Sequence, residues 1–476
     1  MSKTPRPRYR RATATGVSIA TLFSFSLYGS ASATPVGHAL GRTSAGSFAG
    51  QTLTVLDGAP TGADASQTQA YYNYVAAQFK KQTGATLKWQ YYADPSQEVQ
   101  TIETSTVSGS GPDVISYGTS FVGTLWATGD FSPLSGPDWA VLGGESSIIK
   151  ADLFDSGISP SKYIGIPNET NPFVMVYNTA YFKDAGISAP PKSWGALVQD
   201  AQKIQAKVGH GVYGLGIDPQ DSYDPWKSIF FLDAQMGGGK PWEWINPQGT
   251  QVEINNSYVE NAIKFYFSLE YKYHIVPPQA LTWNGAEMAS AFEQQKVAMV
   301  IIGGYGYTAA SKGTPVANNL AYALLPTIPY GDTSMPAAGI PIETETTGNY
   351  WAIPNYASSE RDLALQFEKV TLSPQVQLYQ FKELGWIPVN TAGVTAVEGY
   401  SKVAVPFINA EAAAIPTSIA PVWSYVETGM LTAIHNIGSN LAASNSKWND
   451  GYATSQLFQA NAAAQVHATG FGGSGG

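Results

Sequence analysis

The chain has 476 residues, no cysteine, 26 Lys+Arg against 35 Asp+Glu, and only 13% charged residues. Without cysteine it makes no disulfide, Cys-ligated zinc site, iron–sulfur cluster or thiol nucleophile. Its acidic balance disfavours nucleic acid, whose recognition needs Lys and Arg to neutralise phosphates. Lys3, Arg6, Arg8, Arg10 and Arg11 precede an uncharged, largely apolar stretch from Ala12 to Tyr28, and Ala31-Ser32-Ala33 follows as a cleavage site. Residues 1–33 therefore read as a secretory signal peptide, too short and too rich in Ser and Thr to span a membrane well. Losing those five basic residues leaves 21 Lys+Arg against 35 acids, a net charge near −14, since the first acid is Asp57. Residues 34–50 read as a flexible Gly/Ala/Ser tether.

The folded part is expected to open with a strand at Thr52–Leu56, ended by Asp57-Gly58. A helix follows with Tyr72, Val75, Ala76 and Phe79 on one face and Gly84 as its stop. Leu87 to Tyr92 reads as a second strand, and Gly111-Pro-Asp113 as a turn feeding a third that ends at Tyr117. Val174 to Tyr177 is a short apolar run suited to a buried strand, closed by Asn178. Ser193 can cap a helix whose apolar positions Trp194, Leu197, Val198, Ala201 and Ile204 share a face. Ser257-x-x-Glu260 and Asn284-x-x-Glu287 mark further helix starts of the capping type. Val297 to Ile302 is another buried strand, and Ser359 to Leu384 reads as two helices split by Ser373-Pro374. Strands alternating with helices imply an α/β architecture. The tail, residues 469–476, is Gly/Ser-rich and reads as flexible.

The patterns that would mark an enzyme fail on context. Gly209-x-Gly211-x-x-Gly214 follows a helix and precedes a strand, the reverse of a dinucleotide site. Gly304-x-Gly306-x-x-Ala309 does follow a strand, but the helix beyond it is cut short by Gly313-Thr-Pro315. There is no P-loop, no G-x-S-x-G and no H-E-x-x-H. His38, His210, His274, His435 and His467 are scattered without metal-ligand spacing. Acid pairs such as Glu343/Glu345 and Asp221/Asp224 are the residue type a glycosidase uses, yet Glu343 and Glu345 sit in a Thr-rich loop that reads as structural.

The stretch Tyr163-x-Gly-Ile-Pro, Phe173-Val-Met-Val-Tyr-Asn178, Phe182-x-x-Ala-Gly-Ile187 and Pro190-Pro-x-Ser-Trp194 resembles the solute-binding proteins of ATP-driven importers. The sugar-binding branch is the nearest match. The likeness runs in order through Gly111-Pro-Asp-Val-Ile, Gly129-Asp-Phe-x-Pro-Leu134, Ala298-Met-Val-Ile-Ile-Gly303, Leu325-Pro326 and Gly385-Trp-Ile-Pro-Val389. It implies an α/β, two-lobe periplasmic-binding-protein fold with hinge strands and a ligand cleft between lobes. By this registration the first lobe takes 51–163 and 322–382, and the second takes 164–321 and 383–468. Registration on the maltodextrin-binding proteins implies aromatic stacking positions at Tyr117, Tyr223, Tyr305 and Trp423, with Asp221 in place of a sugar-binding Glu. Trp226, Trp351 and Trp386 read as core. The family's acid and base after the Gly-Pro-Asp strand fall at Ser120 and Phe121, and a further Glu at Asn171, which argues against maltose itself.

The physical chemistry of the residue types agrees: pyranose rings lay C–H faces on aromatic rings while planar polar groups take their hydroxyls. For each aromatic, packing in the core is the competing reading. The resemblance implies a receptor that passes a sugar or short oligosaccharide to a membrane permease. It implies no catalysis, cofactor, metal or nucleic acid, a monomeric state, and a location outside the inner membrane; the lipid-attachment cysteine common in surface-anchored relatives is absent from this sequence. A receptor of the same fold for a polyamine or other small cation is the alternative, since aromatic faces also hold ammonium groups. A secreted glycoside hydrolase is a further one.

Overall fold

The computed structural model describes residues 48–61, 65–93, 95–159, 162–209, 211–222, 225–237, 244–246, 248–303, 312–345, 348–412 and 414–471. The leader, most of the tether, Tyr223, Asp224, Tyr305 and the Gly304–Ala309 pattern lie outside them. Nine strands are described: β1 (Thr52–Gly58), β2 (Thr86–Tyr92), β3 (Val114–Gly118), β4 (Gly165–Glu169), β5 (Phe173–Asn178), β6 (Tyr213–Gly216), β7 (Val297–Gly303), β8 (Leu320–Ala323) and β9 (Asn349–Ala352). They form two sheets. The first has the order β2-β1-β3-β9-β4 and the second β6-β7-β5-β8.

In the first sheet β2, β1 and β3 run parallel, while β9 pairs antiparallel with both β3 and β4. Both faces are covered, which is why its strands read as near-continuous apolar runs. Leu53, Val55, Val114 and Trp351 point to one side, against Tyr72, Val75 and Phe79 of the helix Ala65–Thr83 and Phe367 of the helix Arg361–Thr371. Leu56, Ile115, Tyr117, Tyr350 and Ala352 point to the other, against Ile102, Val122 and Leu125. The second sheet has the same construction. Met175, Leu215 and Met299 face Trp194, Leu197 and Ile204, whereas Val174, Val176 and Val300 face Phe381, Phe407 and Ile408.

Local chemistry sets the helix ends. Ser193 Oγ accepts from Ala196 N at 3.1 Å and starts the helix Trp194–Val208. Asn284 and Glu287 close a reciprocal capping box, Glu287 N to Asn284 Oδ1 at 3.0 Å and Asn284 N to Glu287 Oε2 at 2.9 Å. The helix Ser257–Tyr271 departs from expectation by one residue. Its cap is Asn256, whose Oδ1 accepts from Tyr258 N and Val259 N. The break at Ser373-Pro374 separates Arg361–Thr371 from Pro374–Leu384, because proline has no N–H for the preceding turn.

Sheet membership shifts two of the expected crossing points. β4, placed by a boundary at 163/164 with the second lobe, belongs to the first sheet, so the chain crosses after Glu169. β8 keeps residues 322 and 323 in the second sheet. Phe48 packs on the first core, so the last residues assigned to the tether belong to the first lobe. At the other end the helix Asp450–Phe471 runs three residues past the expected limit of 468.

Candidate functional site

β1, β2 and β3 all end at the same edge of the first sheet, and the ends of parallel strands are where open α/β sheets bind ligands. Gly58, Tyr92 and Gly118 from these ends line a cleft of about 680 Å3. The opposite wall comes from the second lobe: Asp221, Ser222, Trp226, Lys227 and Gly303, with Ser424, Glu427, Thr428 and Leu431 of the helix Trp423–Ala443. Glu169, Asn171, Phe173 and Asn349 form the floor where the chain passes between sheets. The volume lies within the range of about 300–1,000 Å3 usual for small-molecule sites.

Three of the expected site residues meet here. Ser120, Asn171 and Asp221 all line the cleft. Asp221 is also tied into the frame, since its Oδ2 accepts from Gly285 N at 3.0 Å and its carbonyl oxygen lies 2.9 Å from His435 Nε2. Tyr117 and Trp423 are placed elsewhere. Tyr117 is fully buried on the covered face of β3, with its ring 5.4 Å from that of its cross-strand partner Tyr350. The aromatic that reaches the cleft after β3 is Phe121. Trp423 is also fully buried, edge-on to Trp226 at 5.8 Å and tilted on Trp244 at 6.0 Å. For both residues the core reading describes the structure. Trp386, expected in the core, packs against the first core beside Tyr71 and also lines the cleft, and Trp226 borders it.

The acids of the cleft are what sequence reasoning missed. Glu98, Glu169 and Glu427 come from three distant segments, and no local pattern singles them out. Glu427 Oε1 accepts from Ser120 Oγ at 2.6 Å and from the Trp423 indole N–H at 3.0 Å. Glu169 Oε1 accepts from Asn349 N and Nδ2, both at 3.0 Å, and its Oε2 from Asn168 Nδ2 at 2.9 Å. Burial pushes all three carboxyls up to about 8, against partial relief from the Gly118 backbone for Glu98, Asn349 for Glu169 and Ser120 for Glu427. Asp57, beneath the cleft at the end of β1, is pushed by burial to about 6. Lys227 stands against them, paired with Glu345 at 3.1 Å and held 5.0 Å over the Phe173 ring. Glu345, one of the acids considered for hydrolysis, is thus engaged in an ion pair. Among the described residues no group of three or more acids and histidines has the geometry to hold a metal ion.

A family profile for the bacterial extracellular solute-binding protein matches residues 64–378, well over half of the chain. The chain belongs to that family. Two curated relatives agree with it. A probable ABC transporter-binding protein of Deinococcus radiodurans is 29% identical over 193 residues, 37% of this chain and 42% of that relative's length. The diacetylchitobiose-binding protein DasA of Streptomyces coelicolor is 24% identical over 398 residues, 81% of this chain and 84% of DasA. Among solved structures, maltose-bound MalE3 of T. maritima superposes with a TM-score of 0.69 at 16% identity, over 86% of this chain and 98% of that one. This likeness shows the two-lobe α/β fold of the periplasmic sugar-binding proteins. In this solute-binding protein the two sheets are the cores of the two lobes, and the cleft lies between them. The family and the fold are those of proteins that bind solutes. Among the described residues no helix is long and apolar enough to cross a membrane.

Proposed function

We propose that this protein captures a neutral sugar or short oligosaccharide between its lobes and presents it to the permease of an ATP-driven importer. The observation that carries this reading is the composition of the cleft. The aromatic residues Tyr92, Phe121, Phe173 and Trp386 line the cleft beside the hydrogen-bonding groups of Ser120, Asn171, Asp221, Asn349 and Glu427. That mixture suits rings with apolar faces and polar rims. Tyr223 and Tyr305, implied as stacking positions by the family registration, remain part of the proposal. Asp221 serves as a hydrogen-bond acceptor and not as a general base, and the ligand leaves chemically unchanged.

A cationic ligand is favoured by one observation, the convergence of Glu98, Glu169, Asp221 and Glu427 on one cleft. A thermal-shift panel of neutral sugars, polyamines and amino acids separates the readings. A ligand present at a hundredfold its Kd stabilises the fold by about 2.7 kcal/mol. We expect the shift with a sugar; a shift confined to polyamines would replace the sugar reading with the cationic one. Release of product from a labelled oligosaccharide would replace both with hydrolysis.

Residues 1–33 act in this proposal as a leader removed on export, so that the mature chain starts at Thr34 and functions outside the inner membrane as a monomer. Intact mass of the exported protein should correspond to a chain beginning at Thr34. A mass that still includes the basic segment Lys3–Arg11 would refute the assignment.

A further inference from the structure

Glu427 belongs to the second lobe and reaches the first. Its Oε1 takes both protein hydrogen bonds, from Ser120 across the cleft and from Trp423 on its own helix. Oε2 is left for whatever occupies the cleft that the residue lines. Among the described residues no cation lies within ion-pair distance of it. The charged groups that act on it are Lys227, already paired with Glu345, and the acids Glu345, Glu98 and Asp155. Of the elements packed on its helix, Thr119–Phe121 brings Ser120, and Pro225–Gln235 brings Lys227 and Asp233. Asp233 accepts from the Trp244 indole. The turn Pro278–Thr282 brings no titratable group, and the helix Asp450–Phe471 brings Asp450, Tyr452 and His467, none of which lines the cleft.

We propose that Glu427 meets the ligand as a neutral carboxylic acid, donating a hydrogen bond from Oε2 while Oε1 accepts from Ser120 and Trp423, so that solute capture is tied to proton uptake from solvent. This rests on the reading of the cleft as the solute site. A carboxylate here would place uncompensated charge beside three other acids as the lobes exclude water, a cost far larger than that of the neutral acid. Neutral Glu427 gives the cleft an O–H donor aimed at a ring or hydroxyl oxygen. The position of this acid therefore selects for uncharged, oxygen-rich ligands. The upward push of burial on this group, to about 8, points the same way.

The linkage has a definite sign. With the lobes apart, Glu427 is hydrated and titrates near the ordinary carboxylate value; with the lobes shut, it holds its proton to higher pH. The contribution to capture is complete below the ordinary value and is lost as pH rises through about 8. Association weakens across that window by up to about tenfold per pH unit for one proton. A cationic ligand held by carboxylates would show the opposite slope.

Calorimetric titrations of the full exported chain with maltose and with diacetylchitobiose, from about pH 5 to about pH 8, test this. We expect binding to weaken at least about tenfold toward the upper end. On the wild type alone, buffers of different ionisation enthalpy should report about one proton taken up per sugar. Glu427→Gln keeps an acceptor for Ser120 and Trp423 and an N–H donor for the cleft, so its profile should flatten. Equal slopes in the two proteins, or no proton uptake, would overturn the proposal while leaving the sugar site standing. The infrared carboxyl region gives a second readout. With sugar bound at neutral pH, the wild-type minus Glu427→Gln difference should contain a protonated-acid C=O band, and a carboxylate band in its place overturns the proposal. A protonated band of the same size without sugar would show that the acid is neutral before capture and would overturn the proton uptake. Binding of neither sugar at any pH would count against the sugar reading and the proposal with it.

Discussion

The unfolding temperature should be highest in acid and should fall by about 10 °C or more between pH 5 and pH 8. The cause is a set of carboxyls buried with no ion-pair partner among the described residues. Asp152 and Asp155 are fully buried, and none of their four carboxyl oxygens has a hydrogen-bond partner among the described residues. Both oxygens of Glu368 are in the same position. Burial raises all three acids well above their ordinary values, and Asp155 is raised further by Glu345, Asp152 and Glu427. Such a group is neutral when folded and ionises on unfolding at any pH above the ordinary carboxylate range. Its contribution is therefore complete at low pH and is lost as pH rises through the folded pKa. For Glu98, raised from 4.5 to about 8, the full loss is on the order of 5 kcal/mol. Losses of neighbouring acids overlap and do not add, because each ionisation hinders the next. Asp138 works in the opposite sense. Its ion pair with Arg361 at 2.8 Å lowers its pKa, so that contribution appears above the ordinary value and disappears as pH falls. Calorimetric scans at constant ionic strength would decide the matter. A midpoint that is flat or rising from pH 5 to pH 8 would show that water or ions reach these carboxyls.

Much of the scaffold was legible because short-range chemistry fixes it. Asn284 and Glu287 sit three residues apart and satisfy each other's backbone donors, whatever the rest of the chain does. Ser373-Pro374 stops a helix for an equally local reason. The cap at Asn256 was harder, because Asn256 and Ser257 are both good caps and only the backbone, extended at Asn256, decides between them. Cleft-lining positions were legible where position along the chain suffices, as for Ser120, Asn171 and Asp221. They were not legible where orientation matters. Successive strand residues point to opposite faces, and Tyr117 falls on the covered one opposite Tyr350. Trp423 and Glu427 are four residues apart on one helix, yet the indole turns into the core and hands a hydrogen bond to the acid that faces the cleft. Glu98, Glu169 and Glu427 converge only through tertiary folding, so no window of sequence contains their relation. Trp386 follows Gly385 in a motif shared with the family, but the motif does not say which way the ring points.

Gly123→Ala is expected to weaken solute binding by about a hundredfold or more while each lobe stays folded. Glycine inside a helix costs about 1 kcal/mol relative to alanine, so its presence in the helix Val122–Thr128 calls for a reason. A Cβ at Gly123 would lie 2.3 Å from the carbonyl oxygen of Ile419 and 2.8 Å from Ala420 C and Pro421 N. Those atoms are backbone of the second lobe, just before Trp423, and cannot swing aside as a side chain would. Thr124 Oγ1 donates to Pro421 O at 3.3 Å beside them, so the contact is a seam between the lobes, with Ile419 at the edge of the first core and Ala420 at the edge of the second. Val122 and Leu125, which anchor the helix in the first core, are untouched by the change. The cheapest way to admit a methyl group is to separate the lobes, which disfavours the closed state and leaves the open one unchanged. A ligand that needs both walls then binds against that bias, and its affinity falls by the same factor as the closed population. Small-angle scattering should show an expanded ligand-free protein, and the unfolding midpoint should hold or rise slightly with the gain in helix propensity. Unchanged affinity for the solute would mean that this seam does not close on binding. A large fall in the midpoint would mean that the seam supports the fold itself.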